Sequence, residues 1–146
     1  MIDVTVPTLE AFQAEAARFV RLLSQNEAGA TLVTLSGNLG AGKTAYTKAL
    51  ARALGVSETV TSPTFVLEKI YALPEGAPFA RLVHIDAYRL EAGADLAPLG
   101  FDEIMRDSGN LVLLEWPEKV QDALPKAAHS IAIHVLPSGG RTITYG

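Results

Sequence analysis

The stretch Gly37-Asn38-Leu39-Gly40-Ala41-Gly42-Lys43-Thr44 satisfies the pattern G-x-x-x-x-G-K-[ST], a spacing that cradles phosphate. Its glycines let the backbone wrap with N–H groups turned inward toward phosphate oxygens. Lys43 places an ammonium on the β- and γ-phosphates of a nucleoside triphosphate, and the Thr44 hydroxyl suits the magnesium ion that travels with it. At this chain's own Gly, Lys and Ser/Thr frequencies about 0.004 such matches arise by chance, and average usage is not very different. Chance is therefore set aside.

The motif demands a strand before it and a helix after it, so that a helix N-terminus faces the phosphates. Thr31 to Leu35 is short, apolar and β-rich and reads as a buried strand. Ala45 to Leu54 is rich in helix formers, and Gly55 stands where a helix would stop. A phosphate site of this kind also needs an acid at the end of a neighbouring strand. Glu115 follows the apolar run Leu111–Leu114 and is the first choice for the metal-site acid. Asp86 follows Leu82-Val83-His84-Ile85 and is the second choice, or a supporting partner. Thr61-Ser62-Pro63-Thr64 lies between the loop's helix and the next strand, where hydroxyls sense a γ-phosphate in switch loops; a plain Ser-Pro turn is the alternative. His84, alternating with apolar neighbours, reads as structural rather than catalytic. Arg89, three residues after Asp86, reads as a surface arginine rather than a transition-state cation, and Trp116 as a ring packed over the site or simply in the core.

Thr8 is placed to cap a first helix with Phe12, Ala16, Phe19, Val20 and Leu23 on one face. The runs 66–72 and 79–85, parted by Pro74 and Gly76, predict an antiparallel hairpin. Residues 91–100 read as irregular or one short helix, 101–106 as helical, and 111–114 as a central strand. The runs 131–136 and 141–145 around Ser138-Gly139-Gly140 predict a closing hairpin. The sum is an α/β fold, a P-loop NTPase-like mixed β-sheet with flanking helices, in a single domain over residues 1–146. The chain is 49% hydrophobic and lacks cysteine, which excludes disulfides and thiolate metal sites. A net charge of −4 argues against gripping nucleic acid by charge alone. No apolar stretch reaches the roughly 20 residues that span a bilayer, and no basic leader precedes an apolar run, so a cytoplasmic protein is expected.

Taken together, the phosphate loop, Ser62-Pro63-Thr64-Phe65, His84-Ile85-Asp86-Ala87-Tyr88-Arg89-Leu90, Leu99-Gly100-Phe101-Asp102-Glu103 and Leu114-Glu115-Trp116-Pro117-Glu118-Lys119 resemble the ordered motifs of the TsaE family. This is a bacterial P-loop ATPase family needed for the threonylcarbamoyladenosine modification of tRNA. The resemblance covers most of the chain, from about Thr8 onward. It implies a weak ATPase that binds ATP, ADP and Mg2+ and works with the threonylcarbamoyl-transferase subunit and that subunit's non-catalytic paralogue. It would meet tRNA only through that complex. By motif match, Thr44 and Glu115 belong to the magnesium site, and Asp86 supports hydrolysis. Ser62 to Thr64 resembles the switch, and the adenine pocket draws on the start of the first helix, near Thr8, and on the C-terminal strands. Ala45 departs from the family's frequent second hydroxyl at that position.

The residue chemistry leaves rivals. A small-molecule kinase needs an arginine-bearing lid, and residues 91–100 hold no arginine. A GTPase needs an Asn-Lys-x-Asp segment, which does not occur. A nucleotide-dependent interaction switch without hydrolysis remains open. No evident arginine finger is present, which predicts slow turnover until a partner joins.

Overall fold

The computed structural model describes residues 1–38, 40–58, 60 and 67–146. Seven strands form one sheet: β1 (Ile2–Val6), β2 (Thr31–Ser36), β3 (Glu68–Ala72), β4 (Arg81–Asp86), β5 (Asn110–Glu115), β6 (His129–Val135) and β7 (Arg141–Tyr145). The strand order is β1-β7-β6-β2-β5-β4-β3. The inner four strands, β6, β2, β5 and β4, run parallel, while β3 and the pair β7 and β1 add antiparallel edges. The sheet is therefore mixed, as its sequence predicts, and both expected hairpins are present.

Parallel strands need helical crossovers, which cover both faces of the sheet. Alternation along β5 shows the consequence. Leu111 and Leu113 join one core with α1 (Leu9–Val20) and α2 (Lys43–Leu54). Val112 and Leu114 join a second core with α3 (Phe101–Arg106) and the 3-10 segment Gly93–Leu99. A strand buried on both sides has no use for polar alternation, which is why Leu111–Leu114 is uninterrupted.

Thr8 caps α1, its hydroxyl accepting the Ala11 N–H at 3.1 Å. Helix α2 begins at Lys43, two residues ahead of the expected start, and ends on Gly55 in the left-handed region. The two helices and β7 are tied by polar groups inside the first core. Tyr145 donates to Glu15 at 2.6 Å, Tyr46 and Tyr145 share a hydroxyl–hydroxyl bond at 3.1 Å, and Arg18 grips Glu15 through two nitrogens. The Arg18 guanidinium holds the Glu15 carboxyl below its ordinary pKa, against the opposing effect of burial.

β1 was not expected. Ile2-Asp3-Val4-Thr5-Val6 alternates, but its five residues carry no turn signal that separates them from a loose terminus. It becomes a strand because β7 offers it an edge, in register from Ile2 opposite Tyr145 to Val6 opposite Arg141. Among the described residues, no helix is long and apolar enough to cross a membrane.

Candidate functional site

The C-terminal ends of the parallel strands converge on one edge, the side where α/β sheets bind ligands. There β2 gives way to the glycine loop, β4 ends on Asp86, and β5 ends on Glu115. Gly37 opens the loop with φ 147°, and a Cβ there would lie 2.6 Å from the Ile133 carbonyl oxygen. Only glycine lets the loop leave β2 so close against β6. Gly42 stands at the N-cap of α2 with φ 112°, and no side chain caps the helix there. The first N–H groups of α2 are thus left to an incoming acceptor.

Lys43, the first residue of α2, folds back along the loop. Its ammonium donates to the carbonyl of Gly37 at 2.5 Å and of Asn38 at 3.0 Å, and it lies 4.4 Å from the centre of the Trp116 ring. The side chain is only 6% exposed. Burial lowers its pKa, and the nearby charges of Glu115, Asp86 and Glu118 pull the other way. Both acids picked from sequence thus act on the charge of the loop lysine.

Asp86 and Glu115 are directly paired in the β4–β5 register. Their surroundings differ. Glu115 is 2% exposed, and His84 Nε2 donates to its Oε2 at 2.5 Å. His84 is fully buried, and its Nδ1 has no hydrogen-bond partner among the described residues. The expectation of a structural histidine fits its burial, and among the described residues its partner is Glu115, the acid chosen from sequence. Asp86 is half-buried, and its Oδ1 accepts the Tyr88 N–H at 3.0 Å. Burial pushes its carboxyl above the ordinary range, and the neighbouring Glu115 charge adds to that. The Tyr88 hydrogen bond, His84 and Lys43 act in the opposite sense.

Thr44 is exposed on the first turn of α2, with Ala45 beside it half-buried. Gly40 takes φ 79° at the loop's bend, and Ala41 is buried, its N–H donating to the Asn38 carbonyl at 3.0 Å. A cavity of about 190 Å3 adjoins the loop at Gly42 and Ala45, walled by Thr8, Phe12, Gly139 and Arg141. Thr8, placed near a base pocket by family resemblance, therefore lies in a hollow next to the loop. Leu39, Ser62 and Thr64 lie outside the described residues.

Arg141 was missed by sequence reasoning. Its Nε donates to the Ala41 carbonyl at 2.8 Å and its Nη1 to Gly139 at 2.6 Å, binding the closing hairpin to the loop. A lone arginine at the start of a β-run gives no signal of that reach. Trp116 does pack over the site. Among the described residues it is the one non-glycine with positive φ, at 60°.

The fold and motifs have counterparts. The crystal structure of Bacillus subtilis YdiB superposes with a TM-score of 0.75 at 28% identity, over 99% of this chain and 83% of that one. A tRNA threonylcarbamoyladenosine biosynthesis protein TsaE from Treponema pallidum (strain Nichols) is 40% identical over 114 residues, 78% of this chain and 80% of its own. One from Bacillus subtilis (strain 168) is 38% identical over 117 residues, 78% of this chain and 68% of its own. The family model described as threonylcarbamoyl adenosine biosynthesis protein TsaE matches residues 6–143, from the last residue of β1 into β7. With the loop, the two acids and the sheet order all in place, the chain belongs to the TsaE family.

Proposed function

We propose that this chain is a Mg2+-dependent ATP-binding protein with slow ATP hydrolysis. It serves tRNA threonylcarbamoyladenosine modification in the cytoplasm, in complex with the threonylcarbamoyl-transferase subunit and its non-catalytic paralogue. The position of Lys43 carries the reading. Its ammonium is held against the glycine loop at the uncapped start of α2, within the field of two strand-end acids.

The chemistry follows from the residues. Loop amides from Gly37 to Thr44, with the start of α2, take the phosphate chain, and Lys43 balances charge on its β- and γ-groups. Thr44, Glu115 and Asp86 offer one hydroxyl and two carboxylates, a hard-oxygen donor set that suits magnesium shared with phosphate oxygens. That ion would draw off charge from the phosphates as hydrolysis proceeds. Asp86, the more exposed acid, orients the water that attacks the γ-phosphorus, and ADP and phosphate leave. His84 keeps the Glu115 carboxylate in place. The cavity at Thr8, Gly42 and Arg141 takes the base and sugar. Arg141 reaches the loop, but its guanidinium is committed to the carbonyls of Ala41, Gly139 and Gly140. Slow intrinsic turnover is the expectation, with acceleration when a partner supplies a cation or orders the site.

The test is phosphate release with and without the two transferase-complex subunits. Slow release alone and faster release with them is the expected result. No ATP binding overturns the reading. Turnover that requires a small acceptor indicates a kinase, and binding without turnover indicates a switch.

A further inference from the structure

Trp116 is half-buried, and its backbone is in the left-handed region at φ 60° and ψ 53°. A bulky residue is disfavoured there, and such strain persists only where surrounding structure enforces it. The enforcement is visible on both sides. Trp116 N–H donates to the Leu35 carbonyl at 3.3 Å, and Pro117 follows it at the start of the 3-10 turn Pro117–Lys119. This conformation aims the indole across the end of β2 toward the loop.

Two contacts define what the ring does there. The ring faces the Lys43 ammonium, 4.4 Å from the ring centre. The ring also meets Tyr88, 5.0 Å between centroids, and Tyr88 is 44% exposed with the Lys119 ammonium over its own ring. An indole is the strongest aromatic partner for an ammonium, and the attraction grows as water is excluded. Lys43 has three hydrogens to direct, and the Gly37 and Asn38 carbonyls receive two directions. The indole ring lies beside the same ammonium.

We infer that Trp116 is a positioning residue for Lys43: its strained backbone holds the indole face against the ammonium and fixes it in line with the phosphate loop. The inference rests on the proposed nucleotide site and adds a residue to it. Without the ring, a flexible four-carbon stem is free to swing its charge toward Asp86, Glu118 or solvent. Strain at Trp116 is then the local cost of a preformed cation.

Trp116 is the chain's one tryptophan, so its fluorescence reports the contact directly. The experiment compares wild type, Lys43→Met, Trp116→Phe and Trp116→Leu. It reads ATP affinity with Mg2+ by calorimetry, intrinsic emission, and circular dichroism to show that each variant is folded. Lys43→Met should alter Trp116 emission in the absence of nucleotide. Trp116→Leu should weaken ATP binding about tenfold, and Trp116→Phe about threefold, since phenylalanine keeps a weaker aromatic face. A structural role alone would lower the melting temperature of both and leave the affinity of the folded protein intact. Wild-type affinity in Trp116→Leu, equal losses in the Phe and Leu variants, or unchanged emission in Lys43→Met overturns the inference. Wild-type ATP affinity in Lys43→Met instead overturns the phosphate-loop reading beneath it.

Discussion

Removing the Glu115 carboxylate tests the site and the fold at once. The acid is 2% exposed and its partner His84 is fully buried, with the other ring nitrogen lacking a hydrogen-bond partner among the described residues. Glu115→Ala leaves that imidazole with no partner at either nitrogen among the described residues. Leaving a buried hydrogen-bonding group unpaired costs about 1–3 kcal/mol. At roughly 2–4 °C per kcal/mol for a domain of this size, the melting temperature falls by about 2–12 °C. Glu115→Gln retains a carbonyl oxygen for His84 Nε2–H and loses only the charge-assisted part, about 1 kcal/mol, or roughly 2–4 °C. The Gln variant therefore separates chemistry from folding. It should keep most ATP affinity while partner-stimulated phosphate release drops by about a hundredfold, the scale of losing one electrostatic group in a preorganised site. Thermal and urea unfolding of Glu115→Ala, His84→Ala and the double variant give the coupling of the pair. Additivity within about 0.5 kcal/mol would refute the claim that the two act as a unit. Wild-type turnover in Glu115→Gln would move the principal metal-site role to Asp86.

Burial raises the Asp86 carboxyl above its ordinary value of 3.8. The folded state then binds a proton that the unfolded chain has released, so stability falls as pH rises from about that value through the folded pKa. Asp86→Asn, whose side-chain oxygen still accepts the Tyr88 N–H, should melt higher than wild type at neutral pH and lose that advantage below about pH 3.8, while hydrolysis is impaired. A lower melting temperature at neutral pH would count against it. Thr8→Ala removes the α1 cap and should cost about 1 kcal/mol, read as a fall of roughly 2–4 °C, with Thr8→Ser restoring it. An unchanged melting point in Thr8→Ala would show that the cap is dispensable.

Much of this architecture could be read from the chain because local signals and tertiary needs agree. The apolar run at Leu111–Leu114, the glycine-ended helix after Lys43 and the two hairpins all appear where periodicity and turn residues put them. β1 escaped because its pairing is decided by a strand far along the sequence. The acids at Asp86 and Glu115 were found from their strand-end positions, yet their unequal burial was not, since register and the depth of His84 are set by packing. Alternation marked His84 as an inward residue of β4 but gave no view of the neighbouring strand that supplies its partner. Arg141 and the left-handed backbone of Trp116 depend on long-range geometry that no local pattern encodes.

The arrangement of β1 beside β7 has a kinetic consequence. β1 leaves the ribosome first among the strands, and its sheet partner β7 is the last of them to be made. Until then Ile2 to Val6 has no edge to join, and closing so long a loop slows folding. The cavity beside Gly42 is walled by Thr8 from one end of that span and Gly139 to Arg141 from the other. The hollow is therefore complete only after the sheet is, and a nascent chain that has already made its glycine loop still lacks one wall of the adjoining pocket.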